Sequence, residues 1–600
     1  MSAAQLIRRR FVDLGSHVIH YRKAGSGPCV VLVHQSPQSS AALIPLIQVL
    51  AQDFTVFAFD TPGCGESDPL PLKSPTIRDY ASSLARTFEA VGLKRAGLFG
   101  SKTGACIALE FTRRFPAKVA GVVLDSLPVF TPAQVKSMTS IVRTDDGDDA
   151  YYLMPFQPKW DGSHLVSTWS HVRDHVYWFP WYERRARNRR DIDMPTPAAL
   201  HDGVMDNFRA GDNLRTVVEA AFRYKSKSAA ARLTVPAVFT AREEDMLYPC
   251  LRMLPPLRAG QRIVPLGRDM VAYREAIRKF LKPFAVGRSP KDPVFAPASG
   301  KTSRTFADLN DGTQVLFRVR NAGSRGRPLL MLHDGPGSGL GLMELAESLA
   351  SERPVYVPDL PGNGDSDPLR GRKGGIPAYA DSIVAALGRL GLHSVDLFGS
   401  GSGATVALAI AAARPRLVHR LMLHDLPVLT PMERRQLARH YTPPIEPTWD
   451  GGHLYKTWLM LRDQQIYWPW FDRRRQAIRP VDFVGAPLPL HQRLLEVLKA
   501  RPWYGLTTQA AFRHKAALDL KRRTCPTLVL DRAGDVFAGR IRSAVRKAPG
   551  VSFVTVERDA GTFVRKIDNF LRADITMPND PRLNSGNVRK PRSPRLLNEF

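Results

Sequence analysis

The chain has 600 residues, too many for one hydrophobic core, since single cores stop growing near ~250–300 residues. With 44% hydrophobic and 24% charged residues it has the composition of an ordinary globular protein, which excludes a wholly disordered chain. Its formal charge of +29 would attract polyanions or anionic surfaces, yet no nucleic-acid motif accompanies it, so solvated basic faces are expected rather than nucleic-acid binding.

From the N-terminus, residues 1–11 carry three arginines and no apolar core for a signal peptide. No apolar run in the chain approaches the ~18 residues that span a bilayer. Five scattered cysteines without paired metal-ligand spacing suggest free thiols, a cytoplasmic protein and no structural metal. Bounded apolar runs follow in order: "CVVLVH", "TVFAFD", "RAGLFG", "AGVVLD" and "PAVFTA". They alternate with helical spacing such as "ACIALEFTRRF", which predicts a mostly parallel sheet flanked by helices. The second half repeats them as "PLLMLH", "PVYVPD", "SVDLFG", "RLMLHD" and "PTLVLD".

The repetition is close. "DTPGCGESDPL" from Asp60 returns as "DLPGNGDSDPL" from Asp359, and "LFGSKTGA" from Leu98 as "LFGSGSGA" from Leu397. "WDGSHLVSTW" from Trp160 returns as "WDGGHLYKTW" from Trp449. The chain therefore reads as two tandem copies: 1–285, a Pro/Gly/Ser-rich linker at 286–304, 305–575, and a disordered basic tail at 576–600. Extra residues in the first copy include the acidic stretch 145–149, read as a surface loop.

In each copy a His-Pro loop (His34 to Pro37; His333 to Pro336) is followed by D-x-P-G-x-G-x-S-D, a glycine-rich elbow, and an acid after a late strand (Asp245; Asp535). In that order these features resemble the α/β-hydrolase superfamily, and more narrowly its members with an "HQ-S/T-P" loop and an H-T-G elbow. The resemblance implies an α/β fold of two consecutive α/β-hydrolase domains, with helical caps at about 130–225 and 430–515. It also places the nucleophile at the centre of G-x-Nu-x-G.

That centre is Lys102 in the first copy and Gly401 in the second. The base histidine is missing too: the aligned positions read Arg268-Asp269 and Arg558-Asp559. Without an imidazole, serine chemistry lacks a proton acceptor in either half. Three roles stay open to Lys102: an anion-binding cation, a partner for Asp125 or Asp245, or a neutral amine forming a Schiff base. Lys102, Asp245 and His164 are the catalytic candidates. His34, Gln35 and Ser36, with Ser101, Thr103, Asp161 and Arg173, are the candidate loop and substrate-binding residues. His333, Gly401, Asp535 and His453 are the second-copy counterparts. The cap block around Trp160 either binds a polar substrate or braces the cap; the loop histidines either support an oxyanion hole or order the loop. No cofactor or metal is implied. The expected partners are a small-molecule ligand, anionic in one reading, and the other half of the chain, as an intramolecular pseudo-dimer. Two functions remain: a hydrolase-like enzyme with a non-standard first site, or a catalytically dead tandem scaffold.

Overall fold

In the computed structural model, the described residues are 6–141, 156–295, 297, 300–371, 374–479, 486–532, 537–556 and 559–573. The expected acidic loop at 145–149 and the basic tail lie outside them. Each half forms one eight-stranded sheet. The first comprises β1 (Arg8–Asp13), β2 (Val18–Ala24), β3 (Cys29–Val33), β4 (Thr55–Phe59), β5 (Ala96–Ser101), β6 (Val119–Asp125), β7 (Ala237–Arg242) and β8 (Gln261–Leu266). The second comprises β9 (Thr302–Asp308), β10 (Gln314–Arg320), β11 (Leu329–Leu332), β12 (Val355–Pro358), β13 (Val395–Ser400), β14 (Val418–His424), β15 (Thr527–Arg532) and β16 (Val551–Val556).

Strand order is β1-β2-β4-β3-β5-β6-β7-β8, and the second sheet has the same order from β9 to β16. The edge pair β1–β2 is antiparallel, as is the β2–β4 pairing, while β4 through β8 run parallel. Strands β3 and β4 are buried at every position, because helices cover both faces and each needs apolar side chains. Helices between β6 and β7, from Pro132–Ile141 to Asn213–Arg223, form the first cap; Pro431–His440 to Leu506–Arg513 form the second. Among the described residues no helix is long and apolar enough to cross a membrane.

The expected linker is docked rather than loose. Cys29 N–H donates to Val286 O at 2.9 Å, and β9 already begins at Thr302. Asp292 accepts from Lys23 Nζ at 2.6 Å and Arg10 Nε at 3.1 Å, so its carboxylate ties the segment to the first sheet.

The halves meet about a pseudo-twofold axis, each residue finding the counterpart of its own partner, as in an isologous dimer. At the sheet edges Phe11 stacks on Phe306 at 5.4 Å. Arg9 lies over Phe306 and bonds Asp367, while Arg304 lies over Phe11 and bonds Asp68. Between the caps, Leu165, Trp169 and Phe208 share one apolar cluster with Leu454, Trp458 and Leu494. Trp169 Nε1 donates to Trp449 O and Trp458 Nε1 to Trp160 O, both at 3.2 Å. The glycine of each W-D-G turn is required there. Gly451 has a φ of +72°, and a Cβ on it would meet Trp169 Cγ at 2.5 Å.

Two histidine pairs complete the seam. His164 Nε2 lies 3.2 Å from His491 Nδ1, and His453 Nε2 lies 3.0 Å from His201 Nδ1. Backbone N–H groups of Lys159 and Thr448 donate to Nδ1 of His164 and His453. Those two rings must therefore carry their proton on Nε2 and donate to the facing ring.

Candidate functional site

Strand β5 enters the helix Thr103–Arg114 through Lys102, whose φ of 49° and ψ of −111° are sparsely populated for a side-chain-bearing residue. Such a conformation costs about 1–3 kcal/mol and survives only where the surroundings fix it. Here the Lys102 N–H donates to Asp125 O at 2.9 Å. The side chain emerges at the end of the sheet, and Nζ pairs with Asp245 Oδ2 at 3.2 Å. Burial alone would raise the Asp245 carboxyl. Lys102 and the Leu247 N–H outweigh it and hold the group below the usual carboxylate range. Nζ is thus engaged in an ion pair across the elbow.

Asp125, at the end of β6, behaves oppositely. Its Oδ2 accepts from Ser101 Oγ at 2.8 Å and Tyr273 OH at 3.0 Å, while Oδ1 has no partner among the described residues. Burial and the nearby Asp245 charge push it up to about 6 against those hydrogen bonds. The cap adds His175, on the helix Ser163–Tyr177 and within electrostatic reach of Lys102. It stacks on Trp181 at 4.6 Å. Burial, with the charges of Lys102 and Arg190, lowers it to about 3, so the imidazole is neutral.

The other candidates divide. Thr103 opens the elbow helix and is buried. His34 orders its loop: Nε2 accepts from Thr61 N–H at 2.8 Å and Nδ1 faces Gln35 O at 2.9 Å. His333 repeats this with Leu360 N–H and Asp334 O. Gln35 bonds Gln38, and Ser36 Oγ lies 4.0 Å from Cys64 Sγ. His164 and His453, by contrast, are in the cap–cap seam; their pattern with Trp serves packing between halves, not the elbow. Asp161 is exposed and caps the turn by accepting from Ser163 N–H at 2.9 Å. Arg173 is half-buried on the same cap helix; its counterpart Arg462 lies over the Trp160 ring at 4.4 Å. Where a base histidine would stand, Asp269 and Asp559 instead N-cap the last helix of their halves.

The second elbow is closed by its own chain. Gly401 keeps the turn, with φ 55° and ψ −118°. Beside it Asp334 Oδ1 accepts from the N–H groups of Gly335 and Ser402, each at 2.8 Å. Those amides, from the loop and from the residue after the elbow, are the donors that would hold an oxyanion. A Cβ on Gly401 would lie 2.0 Å from Asp334 Oδ1, so a side chain there would have to displace the Asp334 carboxylate. The first copy has neutral Gln35 at the position of Asp334. Asp535 and Arg558 lie outside the described residues.

Sequence reasoning missed Asp334, His175 and Tyr273. The one available signal was asymmetry between copies: Asp against Gln35, and Gln464 against His175. Among the described residues one carboxylate trio, Asp359, Asp365 and Glu496, has metal-like spacing. Arg318 and Lys499 already pair with it.

A family model described as the alpha/beta hydrolase fold matches residues 28–153 and again 327–444. Both halves are α/β-hydrolase-fold domains. An uncharacterized protein of Mycobacterium tuberculosis is 32% identical over 106 residues, 18% of this chain and 31% of its own. A 2-(acetamidomethylene)succinate hydrolase of Mesorhizobium japonicum is 32% identical over 123 residues, 20% of this chain and 44% of its own. A 2-hydroxy-6-oxononadienedioate/2-hydroxy-6-oxononatrienedioate hydrolase of Pseudomonas putida is 34% identical over 130 residues, 21% of this chain and 46% of its own. The chain thus spans less than half the length of these curated relatives. Among solved structures, a thermophilic esterase of Thermogutta terrifontis aligns at 20% identity with a TM-score of 0.35, covering 45% of this chain and 98% of that one.

Proposed function

We propose that the first α/β-hydrolase copy takes a small organic molecule bearing a carboxylate or carbonyl, and that the second copy is catalytically silent. The contrast between the elbows carries this reading. Lys102 stands as an anchored cation 3.2 Å from Asp245, whereas Asp334 fills the equivalent space beside Gly401. In the first copy Lys102 and the elbow amides meet the substrate oxygen and stabilise negative charge developing on it. Asp125, poised near neutrality at about 6, carries the proton while Asp245 stays ionised. Two carboxyls pushed apart in this way divide acid and base work. A serine acyl-enzyme route is not served, because neither elbow centre offers a hydroxyl and no histidine follows His201 or His514 in its half. Two relatives are named for a succinate and a dienedioate, which supports a small anionic substrate. The five cysteines, all free and buried, suit a reducing compartment, the cytoplasm in this reading.

One observation favours the second reading, a scaffold that binds without turnover: His175 at about 3 is too weak a base for work near neutrality. The test is a panel of activated short-chain esters and small oxo acids, with the purified chain beside Lys102→Ala. Turnover lost in Lys102→Ala, with a limb near pH 6 lost in Asp125→Asn, supports the enzyme. Lys102-dependent thermal stabilisation by the same compounds without turnover gives the scaffold. Neither effect with any compound overturns both.

A further inference from the structure

A cavity lies near the pseudo-twofold axis, and no residue of either elbow lines it. It measures about 760 Å³ and is lined by both halves, within the ~300–1,000 Å³ typical of small-molecule sites. Its walls are strongly charged, and the hydrogen bonds within them are unevenly shared. Three of the carboxylates are occupied, while Glu66 and Asp202 have only long contacts to Arg209 and Arg501. Asp60 accepts from His20 Nδ1 and from the N–H groups of Ser40 and Glu66. Asp365 accepts from Lys499 Nζ at 2.6 Å, and Asp367 from Arg9 and the Gln314 N–H. Asp206 is pushed up by burial to about 7.

Arg9 is engaged as well, but two other guanidiniums are not. Arg209 of the first half has Glu66 Oε1 no closer than 3.9 Å, and Arg501 of the second has Asp202 Oδ1 at 3.7 Å. Neither donates a hydrogen bond among the described residues, and Nε of each is buried without a partner. Their side chains are 21% and 18% exposed. Both act electrostatically on His201 and Asp202, so they converge on one wall of the cavity. Forked donors in a partly desolvated pocket are matched by the oxygens of a phosphate or carboxylate. Repeat symmetry accounts for Arg209, whose pair with Glu66 matches Lys499 with Asp365, but not for Arg501, which stands opposite Gly211.

We propose that this cavity is a binding site for a small molecule carrying an oxyanion, gripped by Arg209 from one half and Arg501 from the other. The ligand bridges the halves, so its binding stabilises their association. The site is separate from Lys102 and stands whether or not the first elbow is catalytic.

The test is calorimetric titration of the full chain with pyrophosphate and with citrate, which separate a phosphate from a carboxylate ligand. Saturable binding of at least one, weakened tenfold or more in Arg209→Gln/Arg501→Gln and unchanged in Lys102→Ala, supports the site. Melting curves report whether the double variant is folded. If it is not, Arg209→Lys/Arg501→Lys replaces it and should bind measurably more weakly than the parent, because the fork is lost while the charge stays. No saturable binding of either anion at millimolar concentration overturns the proposal. So does equal affinity in the folded variant, or loss of binding in Lys102→Ala.

Discussion

Acid should separate the two caps, because the histidine seam has no vacant nitrogen that can take a proton without breaking a bond. His164 and His453 each accept a backbone N–H on Nδ1 and face the partner ring through Nε2. His491 and His201 accept on Nδ1. Burial is the main cause that lowers all four: His164 and His453 to about 4, His491 to about 3, His201 to about 2. Arg501 and Arg209 lower His201 further, while Asp161 and Asp450 partly oppose the shift at His164 and His453. Depressed values in the closed seam mean its stability is complete above ~6.5, the ordinary histidine value, and is lost as pH falls toward 4. At pH 5 each histidine forfeits about 2 kcal/mol, or about 8 kcal/mol for four. Asp206 acts with the opposite sign. Its raised value gives stability that is complete at low pH and lost as pH rises through 7, so acidification to pH 5 returns about 2 kcal/mol. The net loss of about 6 kcal/mol rivals the whole stability of many domains. Small-angle scattering and tryptophan emission from pH 7.5 to 4.5 should show an expansion centred between pH 5 and 6, reported by Trp169 and Trp458. Replacing the acceptors, as His201→Leu/His491→Leu, should weaken the seam at pH 7.5 and flatten its pH dependence. A scattering profile and emission unchanged down to pH 4.5 would refute the reasoning.

Trp458→Ala should lower stability by about 3–5 kcal/mol, since Trp458 is fully buried in the seam; urea midpoints check this, and a loss under 1 kcal/mol contradicts its placement. Gly451→Ala should loosen the same seam through its left-handed backbone and the 2.5 Å approach to Trp169, read as a lower melting temperature. Gly401→Ser should destabilise the second half through contact with Asp334, and Asp334→Gly should rescue it. Additive melting shifts in that double-mutant cycle would show that Asp334 does not fill the elbow.

The repeat, the strand series and both elbows were legible in the sequence because they depend on local pattern: bounded apolar runs, and glycines at fixed spacing. The Lys102–Asp245 pair was among the alternatives for the same reason, both residues being placed by motif. The W-D-G-x-H-L block was legible as a constellation but not as a surface. Trp160, His164 and Trp169 could line a pocket or a seam, and only the approach of the second cap decides between them. Asp334 is invisible in one dimension, since its meaning lies in the 2.8 Å from its carboxylate to the Ser402 amide across the fold. His175 was hidden in the same way: its spacing gives a helix position, not a distance to Lys102.

The pseudo-twofold supplies a filter that one sequence ordinarily lacks. A contact crossing such an axis is made twice, so residues serving it must be present in both copies. Phe11 and Phe306, Trp169 and Trp458, and His164 and His453 obey that rule, and all lie in contacts between the halves. A residue serving a single site is free of it. Lys102 against Gly401, Gln35 against Asp334 and His175 against Gln464 break the symmetry around the elbows. Arg501 against Gly211 breaks it around the axial cavity. Loss of chemistry alone would account for Gly401. It does not account for a strained lysine paired with a buried aspartate in one copy, or for the partly buried Arg501, which donates no hydrogen bond among the described residues. Each carries a cost in backbone or desolvation energy that a purely structural repeat would avoid by keeping its halves alike. The asymmetric positions are therefore where ligand chemistry should be sought, and the symmetric ones where assembly should be.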